Sequence, residues 1–219
     1  SEKINKTVVV KKITYNSNDA ALFAEKKMWV KGKGLLPSTV KMMTNICEID
    51  DRTNIQVKMI DSIIRQDSKR KILILSGRKS HIKELKEKYD VSLLDAIDDG
   101  IIEEEEITTC YFHGDLSPKE REFSGKNGDV IFGTFDMAQE ALDIPRLNTV
   151  LFLTPKKDIK QAVGRILRKI LKQGDTRPLI VDFIDDLSVF KKHGDIRAKF
   201  YKKVKYTEEE YYAFNNNMC

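Results

Sequence analysis

The stretch "DVIFGTFDMAQEALDIPRLNTVLFLTP" (129–155) decides the fold. It opens and closes on runs of β-branched and aromatic residues with no polar alternation, the pattern of strands buried on both faces. Between them lies a short segment that Pro145 breaks. Three further runs repeat the pattern: "KILILS" (71–76), "ITTCYF" (107–112) and "PLIVDF" (178–183). Five such strands joined by helical crossovers predict an α/β domain with a mainly parallel sheet. In sheets of this kind ligands gather at the carboxyl ends of the strands.

The crossovers are legible from their starts. "SHIKELKEKYD" predicts a helix from Ser80, and "SPKEREF" one capped by Ser117 with Pro118 at its first position. "DIKQAVGRILRKIL" predicts a third from Asp158. Ahead of this core, "TVVVKKITY" reads as another strand, and Ser38 to about Asp67 as two helices meeting near Asp50 and Asp51. Behind it, Leu187 to about Phe214 reads as one or two helices that dock through Ile196, Phe200 and Val204 at four-residue spacing. The expectation is one domain over residues 1–219: a core over about 70–185, a strand and helices over 1–69, and helices over 186–214.

A net charge of +5, from 39 Lys and Arg against 34 Asp and Glu, is compatible with a polyanionic partner if the basic residues cluster. Cys47, Cys110 and Cys219 are far apart, with no CxxC pair, and His81, His113 and His193 are equally scattered. That pattern predicts a reducing, intracellular compartment and no metal site. No apolar stretch approaches a membrane span, and "SEKINKTVVV" lacks the apolar core of a secretory signal.

Nucleotide hydrolysis ordinarily needs a glycine-rich loop ending in GK[ST], whose amides and lysine hold phosphates and whose hydroxyl holds Mg²⁺. The sequence has none; "KGKGLL" (31–36) lacks the hydroxyl and a buried strand before it. Asp182 ends an apolar run, but Phe183 stands where a catalytic carboxylate would be needed, so Asp182 is expected in structural or ion-pair duty. Any phosphate chemistry here uses only part of a site.

Two segments carry that part. In "QAVGRILR" (161–168), Gln161, Arg165 and Arg168 fall within roughly 60° on a helix, so an amide and two guanidinium forks share one face. Such forks suit phosphate oxygens and the charge that develops in phosphoryl transfer. The same three residues also suit the wet side of a surface helix. Gly164, costly in a helix by up to about 1 kcal/mol relative to Ala, is explained by close backbone approach. In "GTFDMAQEALDIP" (133–145), Gly133 and Thr134 offer backbone amides and a small hydroxyl to a phosphate. Asp143 is placed to accept from a ribose hydroxyl, or to cap a turn.

These segments resemble motifs V and VI (QxxGRxxR) of superfamily 2 helicases. "YFHGDLSPKERE" (111–122) is similar to the segment between motifs IV and V, and "KILILSGRKSH" (71–81) resembles motif IV. Four motifs in order cover residues 71–168. The flanking "EIDDRTNIQVKMIDSII" (48–64) and "LFLTPKKDIKQAVGRILR" (151–168) look most like the helicases of poxviruses and other large cytoplasmic DNA viruses, linked to DNA unwinding and transcript release.

The resemblance implies the second of two RecA-like lobes of an ATP-dependent helicase or translocase. The phosphate loop, the DExH carboxylates and most of the ATP and Mg²⁺ site would belong to the N-terminal lobe, outside this chain, so the chain alone would be inactive. It implies that Arg165 and Arg168 act as arginine fingers, with Gln161 and Gly164 beside them, and that Asp143 faces the nucleotide ribose. Ser76, Arg78, Gly133 and Thr134 would hold the phosphates of a nucleic acid, DNA favoured over RNA, while His113 and Arg121 would be architectural. The family usually writes Glu-Gly-Leu-Asp in motif V, where this chain has Ala141 in place of the Gly; either that backbone stays helical or the nucleotide side is less open. Implied partners are the N-terminal lobe, nucleic acid and transcription machinery, in a host cytoplasm. The rival reading is a RecA-like binding module whose arginine face docks an acidic protein.

Overall fold

The computed structural model describes residues 8–101, 107–141, 143–160, 163, 174–215 and 217–218. Among these, eight strands form one sheet in the order β10-β9-β1-β8-β7-β4-β6-β5: β1 (Val9–Asn16), β4 (Ile72–Ser76), β5 (Thr109–Phe112), β6 (Val130–Thr134), β7 (Thr149–Phe152), β8 (Leu179–Asp185), β9 (Thr207–Phe214) and β10 (Asn217–Met218). Every pairing is parallel except that of β10 with β9. A separate antiparallel hairpin joins β2 (Lys27–Val30) to β3 (Gly34–Pro37). The α/β, mainly parallel architecture expected from the five apolar runs is the observed one.

Period-two alternation sorts the side chains of β4 between two cores. Ile72 and Ile74 enter one with Val130, Phe132, Leu151, Val181 and Phe183. Leu73 and Leu75 enter the other with Ile131, Val150, Phe152 and Ile180. The first face is covered by α2 (Asp50–Gln66) and α3 (Lys79–Asp98), through Ile55, Ile60, Ile63, Ile82, Leu85 and Tyr89. The second is covered by α5 (Ala138–Ala141), by Ile159 and Val163, and by Tyr201 of α6 (Ser188–Lys203). A third cluster packs α1 (Thr39–Cys47) against Leu187 and Phe190. Because both faces are covered, the strands must be apolar throughout, which is why the sequence shows runs rather than alternation.

The helix starts follow local chemistry. Ser38 accepts from the Lys41 amide at the head of α1. In α4 (Pro118–Asn127), Ser117 and Glu120 satisfy each other's amides as a capping box, with Pro118 in the first turn. The helix expected from Ser80 starts at Lys79, with Arg78 in the cap position.

Two expectations are corrected. The region over 186–214 is not helical throughout: α6 ends at Lys203, Lys205 turns through φ 60°, and Thr207–Phe214 returns as strand β9 alongside β1. Lys12 draws it in, since its Nζ lies 2.9 Å from Glu208 and 2.8 Å from Glu210, and a pairing made that far along the chain leaves no local trace. The docking stripe is also rotated. Phe190, Gly194, Arg197 and Tyr201 are the buried face of α6, whereas Ile196 is exposed and Phe200 only packs at the margin. An arginine reads as surface in a hydrophobic pattern, but Arg197 is buried because Asp182 neutralises it. The segment "KGKGLL" lies in the turn and second strand of the β2–β3 hairpin, and the strand before it is exposed.

Candidate functional site

Parallel register brings the carboxyl ends of the strands to one edge. Ser76 and Thr134 are register partners at the ends of β4 and β6, and Leu75 pairs with Phe152 of β7. The edge therefore assembles the segments after β4, β6 and β7, which hold the sequence-predicted site residues.

After β4 the chain turns sharply. The Ser76 hydroxyl is buried, 3.0 Å from Nδ1 of His81, and accepts from the Arg78 amide at 3.2 Å. This side chain is spent on shaping the turn, so Ser76 is not positioned to hold a phosphate through its hydroxyl. The next two residues complete the turn. Gly77 is exposed, with its amide donating to Thr154 Oγ1 at 2.7 Å, and Arg78 carries its guanidinium at the surface, donating to the carbonyls of Gly77 and Val40 at 3.3 and 3.2 Å. The first turn of α3 begins here with no side-chain cap, and Lys79 in that turn is ion-paired with Asp115.

At the end of β6, Gly133 is explained by packing: a Cβ there would stand 3.1 Å from the Phe112 carbonyl oxygen. Thr134 follows, half-buried, ahead of a 3₁₀ turn over Phe135–Met137. Ala141 is buried inside α5, which settles the departure from Glu-Gly-Leu-Asp in favour of a helical backbone at that position. Asp143 is exposed beyond the helix, and its amide donates to Glu140 at 3.1 Å. Arg121 donates to Glu140 at 3.0 Å and to the Leu116 carbonyl, tying α4 to α5, and His113 packs against Tyr111; both positions are architectural here. Burial and the nearby Lys79 push the His113 imidazole below its ordinary pKa.

Gln161, Gly164, Arg165 and Arg168 lie outside the described residues. The segment leading to them is held from beneath. Arg52 and Gln56 of α2 both donate to the Leu153 carbonyl, at 2.7 and 2.9 Å, Thr154 receives the Gly77 amide, and Arg197 donates to the Lys156 carbonyl. Ile159 and Val163 are buried in the second core while Lys160 is exposed. The two arginines are locked in turn by carboxylates of β8: Asp185 at its end grips Arg52, and Asp182 at its middle grips Arg197 and the Tyr201 hydroxyl. Asp182 thus has the ion-pair duty expected of it. Arg52 and Asp185 escaped sequence reading, because an arginine near an acidic helix start reads as solvent-facing.

Among the described residues no group of three His, Cys, Asp or Glu side chains is placed to hold a metal ion, and no helix is long and apolar enough to cross a membrane.

A two-faced parallel sheet whose strand ends gather a Gly-Arg turn, a Gly-Thr turn and the approach to an arginine-bearing segment defines a RecA-like lobe. The chain belongs to the family described as Helicase conserved C-terminal domain, which it matches over residues 55–169, just over half its length. It is 32% identical over 212 residues to a protein of Acanthamoeba polyphaga mimivirus that bears the name of an ATP-dependent RNA helicase, L396, covering 96% of this chain and 38% of that one. It is 34% identical over 79 residues to helicase 161L of Invertebrate iridescent virus 6, covering 36% of this chain and 17% of that one. The chain thus spans well under half the length of these viral relatives. In fold it is similar to T4 UvsW, with a TM-score of 0.67 and 17% identity over 95% of this chain and 42% of that one.

Proposed function

We propose that this chain is the second motor lobe of an ATP-dependent superfamily 2 helicase or translocase, completing from one side an ATP site whose floor another lobe provides. The observation that carries the proposal is the meeting of Gly77 and Arg78, Thr134, and the anchored 153–160 segment at one sheet edge. Arg78 and Thr134 grip successive backbone phosphates, a grip indifferent to base sequence, while Gly133 keeps the sheet closely packed beneath them. Arg165 and Arg168 reach the γ-phosphate, with Gln161 and Gly164 beside them, and Asp143 meets the ribose.

A guanidinium pair and a carboxylate suit the terminal phosphate and the sugar of ATP, but they leave the inner phosphates and Mg²⁺ to the preceding RecA-like lobe. The residues of this chain bind and orient; alone they give little hydrolysis and only weak, salt-sensitive strand binding. The buried Arg52–Asp185 and Arg197–Asp182 pairs hold the 153–156 segment firmly to the lobe, so lobe closure carries that segment as one body. The strand in this reading is DNA, in viral transcription or replication in a host cytoplasm. Phosphate contacts are common to both nucleic acids, and the name of the mimivirus relative makes RNA the necessary comparator.

The test is Arg165→Ala in the longer protein that includes the preceding lobe, with DNA and RNA strands as separate activators. Turnover should fall by about 10³-fold or more while ATP binding persists. Undiminished hydrolysis in that variant would overturn the proposal.

A further inference from the structure

The β2–β3 hairpin is the least explained part of the molecule. It stands away from the sheet with large apolar side chains on both faces: Trp29 and Leu35, register partners, are 72% and 63% exposed, and Met28 and Leu36 occupy the opposite face. Its tip, Lys31-Gly32-Lys33-Gly34, turns through positive φ at both glycines, is closed by the Lys33 amide on the Val30 carbonyl, and has no atom within 4 Å of a Cβ built on either glycine. Two strands alone are marginal in water, and exposed indole is costly, so so large an apolar display marks a contact surface.

Its charge and position say what the contact is. Lys26, Lys27, Lys31 and Lys33 accompany one acid, Glu25, which lies 3.6 Å from Lys27. A protein partner covering this hairpin would have to desolvate several ammonium groups, and lysine is depleted from such interfaces. A single nucleic-acid strand satisfies both features at once, because its bases stack on indole while its phosphates meet lysines. The hairpin also rises from the phosphate-binding edge itself. The Ser38 amide closes its base on the Lys26 carbonyl at 2.6 Å, Glu25 is held by Ser188 just beyond β8, and α1 begins beside Arg78, whose guanidinium donates to Val40 at 3.2 Å.

We infer that the β2–β3 hairpin is a stacking element for the nucleic-acid strand that runs along the Arg78–Thr134 edge, with the Trp29 indole against an unpaired base and Lys31 and Lys33 on the flanking phosphates. The inference rests on the strand-binding reading above and adds to it a contact with bases.

Trp29 is the single tryptophan of the chain, so its emission reports the contact directly. The 219-residue chain is titrated at low ionic strength with end-labelled single-stranded oligonucleotides, DNA and RNA, recording binding by anisotropy of the label and stacking by indole quenching. Binding should quench Trp29. Trp29→Ala should weaken binding by about 5- to 150-fold, with Trp29→Phe in between. Lys31→Gln with Lys33→Gln should lower the slope of log affinity against log salt by roughly 1.4. Thermal unfolding of each variant, expected unchanged at these exposed positions, separates lost contact from lost fold. Strand binding with unaltered emission and no effect of Trp29→Ala would overturn the hairpin inference while leaving the strand-binding reading intact. Loss of binding in Arg78→Ala together with unchanged quenching per bound strand would support both. No binding by any form would overturn both. An emission change produced by the preceding lobe instead of by the oligonucleotide would make the hairpin an inter-lobe contact and overturn the inference.

Discussion

The guanidinium of Arg52 faces the carboxylate of Asp185 through two hydrogen bonds, Nε to Oδ1 at 2.7 Å and Nη2 to Oδ2 at 2.9 Å, with neither side chain exposed. The same Nη2 donates to Leu153, where the chain leaves β7 for the arginine-bearing segment. Desolvation works against both charges, and the fork-to-fork geometry offsets it. Burial depresses the guanidinium pKa, and Asp185 overrides that and raises it.

Removing one partner therefore strands the other. Arg52→Met should cost about 3–5 kcal/mol of stability in denaturant unfolding. Arg52→Met combined with Asp185→Leu should cost much less than the sum of the single changes, since an apolar pair leaves no orphan charge. Additive losses in the double-mutant cycle would contradict this account of the pair.

Tyr201→Phe tests the second pair. The hydroxyl donates to Asp182 Oδ2 at 2.9 Å in a fully buried site, while Arg197 already satisfies that carboxylate in part. The expected cost is about 1.5–3 kcal/mol, the usual worth of a hydrogen bond to a charged group. A change below about 0.5 kcal/mol in the unfolding free energy would show that the hydroxyl contributes nothing net.

His81 predicts a pH dependence. Burial first, then Arg52, hold its folded-state pKa well below the ordinary 6.5, so the folded protein keeps the ring neutral with Ser76 on Nδ1. Below pH 6.5 the unfolded chain takes up a proton that the folded chain refuses, and stability falls with falling pH. The unfolding free energy of the native chain minus that of His81→Gln should be flat above pH 6.5 and decline below it by up to about 1.4 kcal/mol per pH unit. A difference that stays constant from about pH 7.5 to 5 would refute a buried neutral imidazole.

Ala141→Gly restores the residue usual in the family but removes a buried methyl from a helical position. Backbone entropy and lost packing should together lower stability by about 1–2 kcal/mol. A stabilised variant in thermal or chemical unfolding would mean that the backbone at this position prefers a conformation closed to alanine.

Legibility followed the range of the physics. The buried strands, the Ser117 cap and the split near Asp50 are written within a few consecutive residues, because apolar runs, caps and proline act on their immediate neighbours. The motif places Ser76 on the ligand side because a motif fixes a position and not a direction; the tight turn into α3 points the hydroxyl inward to His81. The hairpin was missed for a related reason: its strands are four residues each and its apolar side chains face water, so they lack the half-buried alternation that signals a strand.

Sequence alone was enough for the parallel α/β lobe, since covering a sheet on both faces demands apolar strands whatever lies elsewhere in the chain, and the resemblance of four motifs was enough for its helicase family. Folding in three dimensions was needed to seat Thr207–Phe214 beside β1, to bury Arg52 and Arg197, and to choose Arg78 over Ser76 as the outward-facing group. Each of these depends on a charge partner more than a dozen residues distant or on the direction of a turn. A buried ion pair is unfavourable until its counter-ion arrives, and no local pattern records that arrival.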